Sequence, residues 1–157
     1  MRCFLFAILV LGLSSCFLLS NFKKGSFSYS ADGVSRAVPL VVPKGFNRVE
    51  QVTDAATGNQ EVFYRYPGKA LLYFVVAQDT SKEYQWIDYR LNVPQAIYGG
   101  RFYKGVDSSD LYWRETRAGK YRAGYVNIRR GDDWEFDSAV NYFISSMVAA
   151  DPPKRRR

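Results

Sequence analysis

Only one stretch of this chain repeats its apolar residues at helical spacing. In "DSAVNYFISSMVAA", Val140, Phe143, Ile144, Met147 and Val148 follow the i, i+3, i+4, i+7, i+8 order that lays one apolar stripe along a helix. Asp137 is placed to cap its start, and Pro152-Pro153 stops it. The other periodic segments alternate, as strands do. A helix of about thirteen residues is about 20 Å long, whereas about seven strands side by side span about 29 Å. One such helix cannot cover that sheet. The sheet must therefore curl strongly or split into two packed layers, with the helix closing one side or end. The expected fold is α+β: a curled or two-layered antiparallel sheet of about seven strands in meander order with one C-terminal helix.

The strand readings run as follows. "PLVVPKGF" is extended between Pro39 and Pro43, neither of which suits a central strand. "FNRVEQVT" and "EVFYRY" flank the turn "DAATGNQ". Pro67-Gly68 fits the centre of a type II turn, because proline presets φ and glycine accepts a positive one. "ALLYFVVA", residues 70–77, is continuously apolar and reads as the most buried strand. "KEYQWIDYRLNV" alternates, with Tyr84, Trp86 and Asp88 on one face. "YGGRFYKGV" is punctuated by glycine as at a bend. "DLYWRETRAGKYRAGYVNIRR" reads as a hairpin around Ala118-Gly119, with Tyr121, Ala123 and Tyr125 on one face and Val126 and Ile128 on the other. The aromatic content of 17% suits such a sheet, since rings pack well across pleated strands.

The N-terminus carries a different signal. From Phe4 to Leu13 every residue but Gly12 is strongly apolar, after a basic start at Arg2. A membrane-spanning helix needs roughly twenty such residues, so a basic start, a short apolar core and then small residues is the layout of a secretory signal peptide. Leu13-Ser14-Ser15-Cys16, at the end of that run, resembles the lipobox of bacterial lipoproteins. The resemblance implies a diacylglycerol thioether on Cys16, cleavage before it, and a further acyl chain on the new amine. It covers these four residues and the apolar run. In enteric lipoproteins an aspartate after the cysteine favours the inner membrane; Phe17 stands there in this chain, which implies the outer membrane. Two alternatives stay open: an ordinary signal peptidase cutting after Ser15 or beyond Ser20, or an uncleaved anchor of about sixteen residues reaching Leu19.

The expected organisation is a signal peptide over 1–15, a lipidated N-terminus and flexible tether over 16–42, one β-rich domain over 43–150 and a basic tail over 151–157. The tether reading rests on "NFKKGSFSYSADGVSRA", which mixes small, polar and charged residues without either period. The two cysteines are Cys3 and Cys16, so the domain has no disulfide and no cysteine-ligated metal. Of the formal charge of +7, one unit is Arg2 and four are Lys154 to Arg157, leaving about +2 for the remainder. A basic helix for nucleic acid is not visible, and nucleic acid is not an expected partner. The tail reads first as a solubilising end, with attraction to anionic headgroups as the alternative.

The chain contains no histidine, which removes histidine-based triads and the usual zinc sites. Carboxylates remain. Asp54, Asp79, Asp107, Asp110 and Asp132 fall in turns, while Asp88 and Glu115 sit beside rings on strands and are the pair a glycan hydrolase would need. Asp132, Asp133, Glu135 and Asp137 form the densest acidic cluster, at the start of the helix where its dipole favours anions. Its spacing is not that of a calcium loop. No metal or cofactor is expected beyond the lipid on Cys16, and no phosphate-binding or nucleophile motif is present. These features favour a non-catalytic, membrane-anchored binding module of the cell envelope whose partner is a protein, glycan or apolar ligand. A carrier enclosing an apolar molecule in a curled aromatic sheet and a hydrolase using Asp88 and Glu115 are the alternatives.

Overall fold

The computed structural model describes residues 21–31, 33–78, 95–97 and 100–150. Cys16 and its apolar run, the strand reading around Asp88, and the basic tail lie outside the described residues. Among the described residues, nine strands and one α-helix run in the order β1 (Phe22–Ala31), β2 (Val34–Pro43), β3 (Arg48–Thr53), β4 (Gln60–Arg65), β5 (Leu71–Val76), β6 (Gln95–Ile97), β7 (Gly100–Val106), β8 (Tyr112–Ala118), β9 (Tyr121–Ile128) and α1 (Asp133–Ala150). The fold is α+β and its strand pairs are antiparallel. β3 to β9 form one open sheet in the order β3-β4-β5-β9-β8-β7-β6.

Residues 22–43 are not a tether. They form a ten-residue hairpin, β1 with β2, in which Phe22 faces Pro43 and Ala31 faces Val34. Its inward positions, Phe27, Tyr29, Val38, Leu40 and Val42, are buried in the main core. Side chains also fasten β1 to the edge of the large sheet: Gln51 Nε2 donates to Ser28 O at 2.6 Å, and Ser30 N donates to Gln60 Oε1 at 2.6 Å. Residues 22–43 therefore belong to the folded unit, which the sequence reading started at residue 43.

The hairpin solves the coverage problem posed by one helix. It lies beside α1 on one face of the seven-stranded sheet, so hairpin and helix together form the second layer. Phe143 is the joint. Its ring sits 5.0 Å from Phe74 of β5 and 6.4 Å from Phe27 of β1, centroid to centroid. Phe136, Ala139, Val140, Phe143, Ile144 and Met147 form the buried stripe of α1, and Val148 is partly buried against it.

The expected meander holds within β3-β4-β5 and within β6-β7-β8-β9, and breaks between them. The chain leaves β5 and returns from the far edge, so that β9 pairs with β5. This order puts β9 at the middle of the sheet, and the helix that follows it can fold straight back over the centre. β5 is a strand inside the sheet, with Leu72 to Val76 buried on both faces. The β8–β9 turn is centred on Gly119-Lys120, one residue beyond the expected place, with Ala118 opposite Tyr121. β9 also contains a bulge: Asn127 has φ of +60°, and one extra residue lies between the pairs Arg114–Tyr125 and Tyr112–Ile128. Tyr121, Ala123 and Tyr125 share one face as expected, and that face meets the helix; the bulge turns Ile128, expected on the other face, into the same core.

Candidate functional site

Antiparallel succession gathers the start of β1 and four connections at one end of the molecule: the β2–β3 link, the β4–β5 turn, the β7–β8 loop and the β9–α1 link. A recess of about 530 Å³ opens there, lined by Pro43, Tyr66, Pro67, Leu111, Ile128 and Phe136, with Lys44, Arg129, Asp132 and Glu135 among its polar groups. A second, shallower groove of about 620 Å³ adjoins it, sharing Tyr66 and Ala70 and bearing Arg48, Arg65 and Lys69. The β4–β5 turn between them has Gly68 at φ +71° and Lys69 at φ +66°. Tyr66 N donates to Ala70 O at 2.9 Å across it, so Pro67-Gly68 turns the chain as expected.

Tyr66 is the fixed wall of this site. Its hydroxyl donates to Pro43 O at 2.9 Å, and its ring meets Phe136 edge-on at 5.0 Å. Burial, with smaller contributions from Tyr64 and the Glu135 charge, raises its phenol well above the ordinary tyrosine value. The chain enters the fold at the same end: Lys44 N donates to Asn21 O at 2.8 Å, and Asn21 Nδ2 donates to Glu135 Oε1 at 2.9 Å. Lys23 lies with its ammonium 5.1 Å from the centre of the Phe46 ring.

The acidic cluster expected at the helix start is dispersed among separate partners. α1 begins at Asp133, one turn before Asp137, and Asp133 Oδ1 accepts from Gly131 N at 3.1 Å. Asp137 is therefore not the helix cap. It faces the sheet, where Arg114 Nη1 donates to it at 2.6 Å and the Tyr125 hydroxyl at 3.0 Å. Burial and the Asp137 carboxylate that its hydroxyl bonds raise the Tyr125 phenol strongly, with Arg114 opposing. Arg114 Nη2 also donates to Asn141 Oδ1 at 2.7 Å, and its guanidinium stacks 5.2 Å from the Phe102 ring. Asn141 thus belongs to the sheet-facing side of α1, beside the apolar stripe. This network pins helix to sheet.

Glu115 is on the opposite face of β8 and is fully buried. Tyr73 donates to its Oε2 at 2.8 Å and Arg117 Nε to its Oε1 at 2.5 Å, while the Arg117 guanidinium lies 5.4 Å from the Tyr103 ring. Asp88, its expected companion, lies outside the described residues. Trp113, expected to share the Glu115 face, packs over Gly105 of the neighbouring strand, with which it pairs. A carboxylate at 0% exposure, committed to an arginine and a tyrosine, cannot touch a substrate.

The cations around the recess went unread in the sequence, although a signal exists. Lys44, Arg48, Arg65 and Lys69 all stand at strand ends that antiparallel alternation brings to one side. Among the described residues no helix is long and apolar enough to cross a membrane. No protein-family model matches the chain, and no curated protein or solved structure matches it.

Proposed function

We propose that this chain is a lipid-anchored protein of the bacterial cell envelope, a non-catalytic binding module held by an acylated Cys16 at the outer membrane. The observation that carries the reading is Leu13-Ser14-Ser15-Cys16 at the close of a short apolar run. The binding surface in this reading is the Tyr66 recess and its cationic rim, a concave site with an apolar lining and a few polar groups. At the anchored end of the fold, such a surface suits an envelope protein or glycan that is itself held at the membrane.

The two alternatives draw less support. A carrier needs interior space, and the layer between helix, hairpin and sheet is filled by Phe27, Phe74 and Phe143 in ring contact. A hydrolase needs an accessible acid, and Glu115 is buried in an ion pair. Anchoring is tested by fractionating cells that express the full chain or Cys16→Ser. The native chain should require detergent for release and the variant should not accumulate in processed, membrane-bound form. Identical processing and fractionation of the two would refute a lipid on Cys16.

A further inference from the structure

We propose that the end of the fold bearing Lys23, Lys44, Arg48, Arg65 and Lys69 is a membrane-facing surface that rests on anionic lipid headgroups; this builds on the anchored reading above. Three observations converge on it. The first is reach. Only Phe17 to Ser20 separate Cys16 from Asn21, and five residue steps span about 18 Å at most. A domain held that closely cannot turn its far end to the bilayer. The same end faces the membrane if the apolar run to Leu19 serves as an uncleaved anchor.

The second is charge. All five side chains are exposed. They surround the point where Asn21 is fastened to Lys44, and the carboxylate among them, Glu50, is held by Arg48 at 2.7 Å and Arg65 at 3.0 Å. Asp132, Asp133 and Glu135 gather on the helix side of the same end, so the end is polarised, with its positive half formed by β1 to β5. Cations near an anionic leaflet are each drawn with a strength worth about fivefold in affinity.

The third is the direction of α1. The helix starts at this end, where Glu135 meets Asn21, and its 18 residues carry the chain about 27 Å away. Lys154 to Arg157 follow its far end. A seven-residue tail stretches about 25 Å at most, so the tail starts on the side away from the bilayer. The folded surface, rather than the tail, is the part that meets headgroups.

The test uses the native acylated chain, Cys16 to Arg157, reconstituted in vesicles of phosphatidylcholine alone or with a quarter phosphatidylglycerol. After flotation, amines are labelled with a membrane-impermeant acylating reagent and read by peptide mass spectrometry. Lys120, in the β8–β9 turn at the opposite end, serves as the reference within each molecule. On anionic vesicles, labelling of Lys23, Lys44 and Lys69 relative to Lys120 should fall about fivefold or more. It should recover near 1 M salt, where the Debye length is about 3 Å. Lys44→Glu, Arg48→Glu and Lys69→Glu together should abolish the protection of Lys23 while the chain still floats. Flotation with equal ratios on both vesicles overturns the proposal alone. Failure of the native chain to float overturns the anchored reading and this proposal with it.

Discussion

Tyr73 reaches Glu115 by lying across a glycine. Gly124 of β9 pairs with Tyr73 of β5 on one side and with Glu115 of β8 on the other, and Tyr103 of β7 continues the row. The Tyr73 ring covers Gly124 so that its hydroxyl can donate to the carboxylate at 2.8 Å. A Cβ on Gly124 would collide with that hydroxyl and with Arg114 O. Because the second contact is backbone, it cannot swing aside. Gly124→Ala should destabilise by about 3 kcal/mol. Tyr73→Phe, which keeps the ring and strips the hydrogen bond from a buried carboxylate, should cost about 2 kcal/mol. Chemical denaturation of both variants reads this directly, and a neutral Gly124→Ala would contradict the packing.

The Arg114 network makes a second expectation. Asn141 falls outside the apolar stripe of α1 and looks dispensable, yet it accepts from a buried guanidinium. Asn141→Ala should cost about 1.5–3 kcal/mol, as a hydrogen bond to a charged group does. Arg114→Ala should cost about 3 kcal/mol or more, since it leaves Asp137 without its cation beneath the helix. Urea melts would separate these from Ser145→Ala on the exposed side, which should change little.

Phe27 and Phe143 should behave as members of one core. Both are 0% exposed and their rings are in contact. Phe143→Ala and Phe27→Ala should each destabilise by about 3–5 kcal/mol. A flexible tether would leave Phe27→Ala silent, so the comparison decides whether residues 22–43 belong to the folded unit.

Alkaline pH should weaken the fold through Tyr66 and Tyr125. Burial raises both phenols above the unfolded value near 10. The unfolded chain therefore releases these protons first, and stability, fully present below about pH 10, should fall as pH rises beyond it. Phenolate absorbance at 295 nm, followed with circular dichroism, should show these two tyrosines ionising only as the fold is lost. Their titration near pH 10 in an intact fold would contradict the burial.

Much of this fold is legible in the sequence. The helix stripe, the buried run of β5, the Pro67-Gly68 turn and the shared face of Tyr121, Ala123 and Tyr125 follow from period and turn chemistry, which are local. The hairpin of residues 22–43 was also locally signalled: Asp32-Gly33 is a strong two-residue turn dipeptide, Gly33 takes φ of +75°, and Phe27 and Tyr29 alternate ahead of it. Lys24, Ser26, Ser28 and Ser30 masked the alternation, because they are the exposed face of a half-buried strand. The return of the chain to pair β9 with β5 left no local trace. Nor did the partner of Asn141, since Arg114 reaches it from a strand 27 positions away. At the candidate site, the cations were readable singly and their assembly was not, for it depends on which strand ends share a side. Glu115 was singled out in the sequence for its neighbours along the strand, but its environment is set by Tyr73 and Arg117.

The mass of the mature N-terminal peptide from native membranes bears on all of this at its root. A peptide beginning at Cys16 and carrying a diacylglyceryl group with an amide-linked acyl chain is the expected result. It would place the fold within about 18 Å of the bilayer. An intact Met1 terminus, or an unmodified chain starting beyond Ser20, would contradict it.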